Sequence, residues 1–566
     1  MYGEKTDFLR TNDLSPAVSV LSYRNNGNKN NSAEENKMLL NGIWNFSFNG
    51  EPEIPMEVPG CFDASGKYRF MRGIGTYRTT ADGGGLMELA CDGVGLRASF
   101  FWDGKPVGTE VTAFAPVKLV FDAGAEGTHE LKIVCDNTID ESCHSEFRRF
   151  YDFYGFGGIY RDITLRKLPS IYFRKTEILP DPDRGGIRLK LELSSDVPVA
   201  PEIDGTSMEK LPGGGEYFLP VPDPRLWSPE SPVLHTLSLD CGFEKVRCRF
   251  GLRKIEAADG QLYLNGKRLK LAGVNRHDVW PETGSAIPFE RMKKDLEMIK
   301  KAGFNMIRGA HYPQSQKMLD LADELGILVW DEILGWENPA DSLTDPEFQA
   351  REFSALERMI HTSFNHPSIL FWGFLNEGAT DQEAARDLVG KLASLARKLD
   401  PTRLVTYASM YGKNDRCQDL VDIVSFNTYP GWYGGTHTFF QEELVRTELE
   451  GLFAHVRSTP GLSDKPILIS EIGAAGMIGD HSGRRWSEEY QRELVECAVR
   501  TALTHPECSG ILIWQFCNTP VDDNGRIMMR PRGYNNKGLV DEYRRPKQAW
   551  SLFPGLIEEL LSSDPK

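Results

Sequence analysis

The stretch Ile369-Leu370-Phe371-Trp372-Gly373-Phe374-Leu375-Asn376-Glu377 is a continuous apolar run that ends in an amide and a carboxylic acid. The stretch Ile467-Leu468-Ile469-Ser470-Glu471 repeats this pattern later in the chain. Continuous apolar runs indicate strands that are covered on both faces, as in parallel sheets. In a barrel of alternating strands and helices, the carboxyl ends of the strands carry the chemistry. Glu377 and Glu471 are therefore the first candidates for catalytic residues.

Strand and helix patterns alternate on both sides of these two runs. Strands are predicted at 269–275, 304–310, 327–333, 368–376, 404–409, 422–427, 466–471 and 510–516. Helices are predicted at 288–302, 314–325, 346–364, 381–399, 438–457, 485–504 and 547–562. Eight strands with intervening helices predict a (β/α)8 TIM barrel over residues 263–566. A doubly wound open sheet is the competing topology, but it gives no reason for eight units.

The chain before the predicted barrel has a different texture. Short apolar or alternating runs, as at 86–90 and 98–102, are separated by Gly, Pro, Asp and Asn. This pattern is typical of antiparallel β-sandwiches, and Asp103-Gly104 is predicted to be a hairpin turn. A boundary near Leu168-Pro169 predicts one sandwich over residues 1–168 and a second, immunoglobulin-sized one over 169–262.

Composition narrows the class of protein. A chain of 566 residues is too long for one core, and its net charge of −16 argues against a nucleic-acid partner. The ten cysteines are scattered without a CxxC pair, so reduced thiols in a cytoplasm are expected. The start Met1–Asp7 has no apolar core of a signal peptide, and no apolar run reaches the ~18–20 residues needed to cross a bilayer. We expect a cytoplasmic protein with no membrane partner.

Polar and aromatic side chains follow the other predicted barrel strands as well. They include His311 after the second strand, Tyr429 and Tyr433 after the sixth, and Trp514 at the end of the eighth. Two carboxylates that meet in such a ring are the minimum equipment for cleaving a glycosidic bond. A metal held by His277 and His311 would find only carboxylates as further ligands, so we predict neither a metal nor a cofactor.

Four motifs together resemble glycoside hydrolase family 2, and the resemblance covers nearly the whole chain. They are Asn376-Glu377 after an apolar strand, Glu471, the segment Gly273–Asp278, and the segment Asp152–Arg161 near the end of the first sandwich. The resemblance implies a jelly-roll sandwich, an immunoglobulin-like sandwich and a catalytic barrel. It also implies a retaining β-glycosidase with Glu377 as acid/base and Glu471 as nucleophile, in which Asn376 binds the 2-hydroxyl of the sugar. The resemblance further implies that His311 is a hydrogen-bonding residue in the wall of the site and not a metal ligand.

The segment Arg530–Val540 indicates which sugar the site binds. In β-glucuronidases of this family an Asn-x-Lys pair in the corresponding loop holds the C6 carboxylate, and Asn535 and Lys537 match it. A desolvated carboxylate needs a cation and amide donors, because charge-assisted hydrogen bonds are the strong ones. The resemblance adds Asp152, Tyr429, Tyr433 and Trp514 as sugar contacts, and we include Arg532 from the same segment.

The resulting prediction is an exo-acting retaining β-glucuronidase whose partner is a small-molecule or oligosaccharide glucuronide. A β-galacturonidase needs the same carboxylate site, and the sequence does not choose between the two stereocentres. A neutral-sugar β-galactosidase is the third possibility, and a non-catalytic carbohydrate-binding protein is the fourth. The loop at 334–345 is shorter than the loop that covers the site in some bacterial β-glucuronidases, so we expect an open site. The family resemblance also suggests a homo-oligomer.

Overall fold

The computed structural model describes residues 37–111, 113–142, 144–145, 152–434, 437–522 and 529–562. The chain consists of two antiparallel β-sandwiches followed by a parallel barrel, which confirms the predicted fold class. The stretch Met1–Asp7, which the sequence predicts to lack a signal peptide, lies outside the described residues. Within them, no helix combines the length and apolarity required to cross a bilayer.

The first sandwich packs a four-stranded sheet against a six-stranded sheet. Alternating side chains of both sheets, such as Phe46, Leu89 and Ile133, are buried in one apolar core. At the predicted hairpin, Asp103 and Gly104 both have positive φ, 46° and 75°, which suits the type I′ geometry of two-residue hairpin turns. The strands are Lys37–Leu39, Ile163–Lys167, Leu86–Cys91 and Val117–Asp122 in one sheet, and Ile54–Val58, Gly42–Phe48, Ile74–Gly83, Gly127–Asp136, Arg97–Trp102 and Lys105–Glu110 in the other. Short strands Gly60–Cys61, Gly158–Ile159 and Val94–Gly95 form a third sheet.

The second sandwich has its own apolar core, built around side chains such as Leu189, Ile203 and Leu237. Its sheets contain Phe173–Asp181, Gly186–Leu193 and Gly215–Pro220 on one side, and Thr206–Ser207, Ala200–Ile203, His235–Asp240 and Lys245–Phe250 on the other. A small meander then leads into the barrel, with strands Ile255–Ala258, Gln261–Leu264 and Lys267–Leu269. The boundaries at 168/169 and 262/263 stay predictions.

The barrel strands are numbered β1 to β8 in chain order. They are β1 Leu271–Arg276, β2 Met306–Gly309, β3 Leu328–Glu332, β4 Ile369–Asn376, β5 Leu404–Ala408, β6 Val424–Asn427, β7 Ile467–Ile472 and β8 Cys508–Ile513. Neighbouring strands pair in parallel around the ring, and a single bridge between Ser409 and Phe426 joins β5 to β6. Almost every strand residue is buried, which explains the continuous apolar runs of the sequence. Trp227 of the second sandwich and Leu262 of the meander pack against the amino ends of the strands.

Helices cover the outside of the barrel close to where the sequence predicts them. They are α1 Phe289–Lys301, α2 Gln316–Leu325, α3 Ala340–Leu343, α4 Pro346–Ser363, α5 Ala385–Leu399, α6 Glu442–Ser458, α7 Glu488–Thr504 and α8 Phe553–Ser562. Ser315, Asp345 and Ser487 cap three of them by accepting a hydrogen bond from a backbone N–H of the first turn. The short α3 lies within the loop at 334–345, and the predicted last helix begins as a 3-10 turn, Gln548–Leu552.

The first sandwich also reaches the carboxyl end of the barrel. The backbone N–H of Tyr154 donates to the Pro520 carbonyl at 2.8 Å, and Arg72 pairs with Asp522 at 2.6 Å. Arg161 donates to the Pro313 carbonyl at 2.9 Å. These contacts hold the loop that carries Asp152 over the ends of the barrel strands.

Candidate active site

A cavity of about 800 Å3 opens at the carboxyl end of the barrel strands. Glu377 and Glu471 both line it, although only 9% and 3% of their surfaces are exposed. Of the other residues that the sequence predicts for the site, six line the same cavity: Asp152, His311, Tyr429, Tyr433, Trp514 and Lys537. The structure thus brings together residues that are almost four hundred positions apart in the chain.

Arg308 at the end of β2 organises the base of the cavity. Its Nη1 donates to Oε1 of Glu471 at 2.7 Å, and its Nε and Nη2 donate to the two oxygens of Glu332 at 3.0 and 2.9 Å. Tyr429 donates its hydroxyl proton to Oε2 of Glu471 at 2.6 Å. Both oxygens of Glu471 are therefore held in place by donors, which preorganises this carboxylate on rigid strands.

Local irregularities of the strands bring the polar side chains to the cavity. The pairing of β4 with β5 shifts in register between Gly373 and Asn376, and both Leu375 and Glu377 have positive φ, 55° and 56°. Such backbone is strained for residues other than glycine and is found preferentially at functional sites. A second register shift places Asn427 of β6 opposite Glu471 of β7.

Asn427 donates hydrogen bonds to both polar side chains at the carboxyl end of β4, those of Asn376 and Glu377. Its Nδ2 lies 2.9 Å from Oε1 of Glu377 and 3.1 Å from Oδ1 of Asn376, whose Oδ1 also accepts from Arg308 at 2.8 Å. The Nδ2 of Asn376 is buried and has no hydrogen-bond partner among the described residues. We call Arg308, Glu332, Asn376, Glu377, Asn427 and Glu471 the strand-end network.

Burial sets the protonation of this network. Desolvation, followed by the nearby charge of Glu471, raises the pKa of Glu377 to about 8. Burial also raises the pKa of Glu471, but the charge of Arg308 and the hydrogen bond from Tyr429 oppose that rise. Burial and the neighbouring carboxyl groups raise the pKa of Tyr429 well above its usual value, so this hydroxyl stays a proton donor. One carboxyl thus holds its proton near neutral pH while the other faces an arginine.

His311 and Trp514 form one wall of the cavity. Their rings stack with centroids 5.1 Å apart and an interplanar angle of 9°. Nδ1 of His311 lies 3.0 Å from Oε1 of Glu332, while burial and the positive Arg308 lower the pKa of the imidazole well below its ordinary value. The imidazole ring is therefore neutral at this position of the cavity wall.

A second group of polar residues lies at one end of the cavity and comes from loops. Asp152 receives two hydrogen bonds from Arg530, at 2.7 and 2.6 Å, and a third from Nδ2 of Asn535 at 2.7 Å. Lys537 donates to the hydroxyl of Tyr433 at 2.6 Å. We call these residues the loop cluster: Asp152, Tyr433, Arg530, Asn535 and Lys537. Asn535 is fully buried behind Asp152 and does not line the cavity itself.

Arg532 lies elsewhere, contrary to the sequence prediction. Its side chain is exposed, pairs with Glu542 at 2.8 Å and donates to Oδ1 of Asn536 at 2.9 Å, and it does not line the cavity. Arg530 takes the position at the cavity instead. Arg532 has a φ of 65°, in the left-handed region of the backbone. Of the two arginines in Arg530-Pro531-Arg532, only Arg530 therefore faces the cavity.

Sequence reasoning also missed further lining residues. Met410 follows β5, Met529 precedes Arg530, and Glu443, Leu444, Thr447 and Glu448 belong to α6. Their signal in the sequence is weak because surface helices are rich in such residues anyway. The spacing 443, 444, 447, 448 does place all four on one helical face.

A group of potential metal ligands lies away from the cavity. Asp320 and Asp323 of α2 and His366 after α4 are close enough together to share a cation. Nδ1 of His366 already lies 2.6 Å from Asp323, and Arg249 pairs with Asp320 at 2.5 Å, so an ion network satisfies these groups. The cluster contributes nothing to the candidate active site.

Comparison with known proteins places the chain in a family. Residues 255–553 match the model of the glycosyl hydrolases family 2 TIM barrel domain. The chain is 26% identical over 581 residues to a β-glucuronidase of Streptococcus agalactiae, and the alignment covers 91% of this chain and 95% of that protein. It is 27% identical over 523 residues to a putative β-glucuronidase of Formosa agariphila, of which it spans only 61%.

Among solved structures, a family 2 β-galacturonidase from Eisenbergiella tayi bound to galacturonate is 33% identical, with a TM-score of 0.87. The match covers 92% of this chain and 97% of that one. A β-glucuronidase from Faecalibacterium prausnitzii has a TM-score of 0.85 at 24% identity, which shows the shared fold. Fold, family match and relatives define a glycoside hydrolase. The chain belongs to glycoside hydrolase family 2.

Proposed function

We propose that this protein is an exo-acting, retaining β-uronidase that hydrolyses terminal β-D-glucuronides. The observation that carries the proposal is Lys537. Only 2% of this lysine is exposed, it lines the cavity, and its ammonium group has no carboxylate partner among the described residues. Burying an unpaired cation is costly, so the site favours a ligand that brings an anion.

The charges around Lys537 support the same reading. The loop cluster contains two cations, Arg530 and Lys537, and one carboxylate, Asp152, which is occupied by Arg530. The C6 carboxylate of a uronic acid would supply the missing negative charge beside Lys537. Asn535 then acts through Asp152, which it holds in place for the hydroxyl groups of the sugar.

The strand-end network supports a double displacement. In the first step an oxygen of Glu471 attacks C1, the bond from C1 to the glycosidic oxygen breaks, and Glu377 gives that oxygen its proton. In the second step Glu377, now ionised, takes a proton from water while the water oxygen attacks C1. The ester bond to Glu471 breaks and its carboxylate is restored. Asn376 offers its unpartnered Nδ2 to the 2-hydroxyl, a contact that strengthens in the transition state.

We propose exo action because Arg530 joins Asp152 and Tyr433 by hydrogen bonds at the end of the cavity where the sugar carboxylate would lie. In this proposal the bonded side chains take up the space that a further sugar would need, so only a terminal residue is released.

A terminal β-D-galacturonide is the second candidate. The specific observation in its favour is the 33% identity to the β-galacturonidase of E. tayi, which exceeds the 26–29% identity to curated β-glucuronidases. Both sugars carry the C6 carboxylate, and they differ in the stereochemistry of the 4-hydroxyl. Location in the cytoplasm and assembly into a homo-oligomer stay predictions from the sequence.

A panel of p-nitrophenyl glycosides tests the proposal. We expect kcat/KM for the β-D-glucuronide to exceed that for the β-D-galactoside by at least about 30-fold, since loss of a charged hydrogen bond costs ~2–3 kcal/mol. A higher value for the β-D-galacturonide than for the glucuronide would transfer the proposal to the second candidate. A higher value for the galactoside than for both uronides would contradict it.

A further inference from the structure

The cavity continues beyond Glu377 to an outer end that the sugar does not occupy in the proposed reaction. One side of this end is the face of α6 formed by Glu443, Leu444, Thr447 and Glu448. The other sides are formed by Met410, Trp336 and Glu337. The outer end is therefore acidic along the helix and at Glu337, and apolar at Met410 and Trp336.

The two glutamates of this face keep their charge unbalanced. Glu443 accepts a hydrogen bond from Thr447 at 3.1 Å, and Glu448 accepts one from Thr428 at 3.3 Å. Neither forms an ion pair with a lysine, arginine or histidine within the part of the chain that the structure describes, and both are exposed. The neighbouring Glu442 differs, because Arg446 neutralises it one turn further along the helix.

The direction of the reaction places the leaving group at this end. If the sugar carboxylate lies beside Lys537, as the proposed function holds, the glycosidic oxygen lies at Glu377, which protonates it. The leaving group then extends away from Lys537 and towards α6. The cavity thus has a cationic end for the sugar and an acidic end for the group that departs.

We propose that Glu443 and Glu448 form the acidic wall of the leaving-group subsite and determine its charge preference. The subsite takes neutral or positively charged leaving groups with an apolar face, which packs against Met410, Trp336 and Leu444. It disfavours leaving groups that carry a carboxylate or sulfate, such as a second uronate or a sulfated sugar.

The effect is limited by solvent screening. Exposed charges interact over a Debye length of ~8–10 Å at 0.1–0.15 M salt and are worth little at higher ionic strength. The proposal therefore predicts a preference that is strong at low salt and disappears at high salt. Apolar packing alone would give a preference that salt does not remove.

The test uses three phenyl glycosides of whichever sugar the panel identifies. Their rings carry para carboxymethyl, ethyl or trimethylammoniomethyl groups, which differ in charge. Because each ratio is compared across salt and between variants on the same substrates, differences in phenol acidity cancel. At ~20 mM ionic strength we expect kcat/KM for the cationic substrate to exceed that for the anionic one by about 10-fold, falling towards equality at 0.5 M salt. The double variant Glu443→Gln/Glu448→Gln should lower this ratio at least about 3-fold.

Glu450→Gln provides the matched control, because Glu450 is an exposed glutamate of the same helix that does not line the cavity. This variant should leave the ratio unchanged. A wild-type ratio near one, a preference for the anionic substrate, or a double variant that behaves like Glu450→Gln would overturn the inference. The substrates carry the sugar that the panel selects, so the two proposals fail in different measurements. A wrong uronide assignment shows in kcat/KM across the sugars of the panel. A wrong acidic wall shows only in the ratio of kcat/KM between the cationic and anionic substrates.

Discussion

The strand-end network and the loop cluster both contribute side chains to the same cavity but are built in different ways. The first comes from the ends of β2, β3, β4, β6 and β7, where backbone pairing fixes each side chain. The second joins a loop of the first sandwich to the segment after β8, so that Asp152 meets Arg530 across 378 positions of sequence. In the proposed function, chemistry thus rests on the rigid barrel, whereas recognition of the sugar rests on contacts between domains. This division agrees with the general use of barrel loops to vary specificity.

The largest expected effect falls on the strand-end network. Glu471→Gln keeps the size of the side chain and its hydrogen bonds to Tyr429 but removes the nucleophile, so kcat should fall by at least ~10^4-fold on any glycoside. Initial rates with p-nitrophenyl substrates measure it. Retention of even one hundredth of the wild-type rate, with contaminating activity excluded by the Glu377→Gln/Glu471→Gln variant, would disprove the assignment of the nucleophile.

A smaller and selective effect is expected in the loop cluster. Lys537→Ala should lower kcat/KM on the uronide by ~2–3 kcal/mol, or about 30- to 150-fold, because a charged hydrogen bond to the carboxylate is lost. Hydrolysis of a neutral β-glycoside by the same variant should not fall. Arg532→Ala is the matched control, since this arginine belongs to the same loop but pairs with Glu542 outside the cavity. Equal losses in both variants would show that the loop cluster does not bind the sugar as proposed.

The smallest effect concerns the proton on Glu377. Its pKa is raised to about 8, and only the protonated form assists the leaving group. Activity should therefore be complete below this pKa and be lost as pH rises through it, by about 10-fold at pH 9. A 2,4-dinitrophenyl leaving group needs little protonation, so its alkaline limb should be much weaker. An identical limb for both leaving groups would mean that another group titrates there.

The pH experiment also probes the coupling between the two carboxyl groups. Part of the raised pKa of Glu377 comes from the charge of Glu471, so Glu471→Gln should lower the pKa of Glu377. Carbon NMR of the labelled side chain measures this directly. We expect the strand-end network to titrate as one electrostatic unit, and Lys537→Ala to leave the pKa of Glu377 unchanged.

Much of the barrel was predictable because each element carries its own signal. The buried parallel strands β1 to β8 fall within two residues of their predicted bounds at most ends, since burial on both faces requires continuous apolar residues. The strand ends then place Glu377, Glu471 and Tyr429 without further information. The short α3 and the interruption of α8 at Pro554 and Gly555 were not predicted, because loops and helix ends depend on local backbone geometry.

The composition of the loop cluster could be predicted only in part. Asp152, Tyr433 and Lys537 were expected from the family resemblance, and the structure does bring them to the cavity. The sequence predicted Arg532 as a site residue, but Arg530 is the arginine that lies at the cavity. Two arginines separated by one proline cannot be told apart until the backbone shows which one faces inward. The residues of α6 carried only a weak signal, since exposed glutamates on a helix are ordinary in sequence.

By itself, the sequence determined the class of fold, the family and the two glutamates at the ends of buried strands, because periodicity and burial are properties of short segments. The tertiary structure alone decided that Arg530 rather than Arg532 holds Asp152, that Lys537 is buried with no carboxylate partner among the described residues, and that α6 adds an acidic face to the cavity. These features depend on groups from distant segments meeting in a low-dielectric space, where desolvation and pairing set their charge. No local pattern of residues encodes such a meeting.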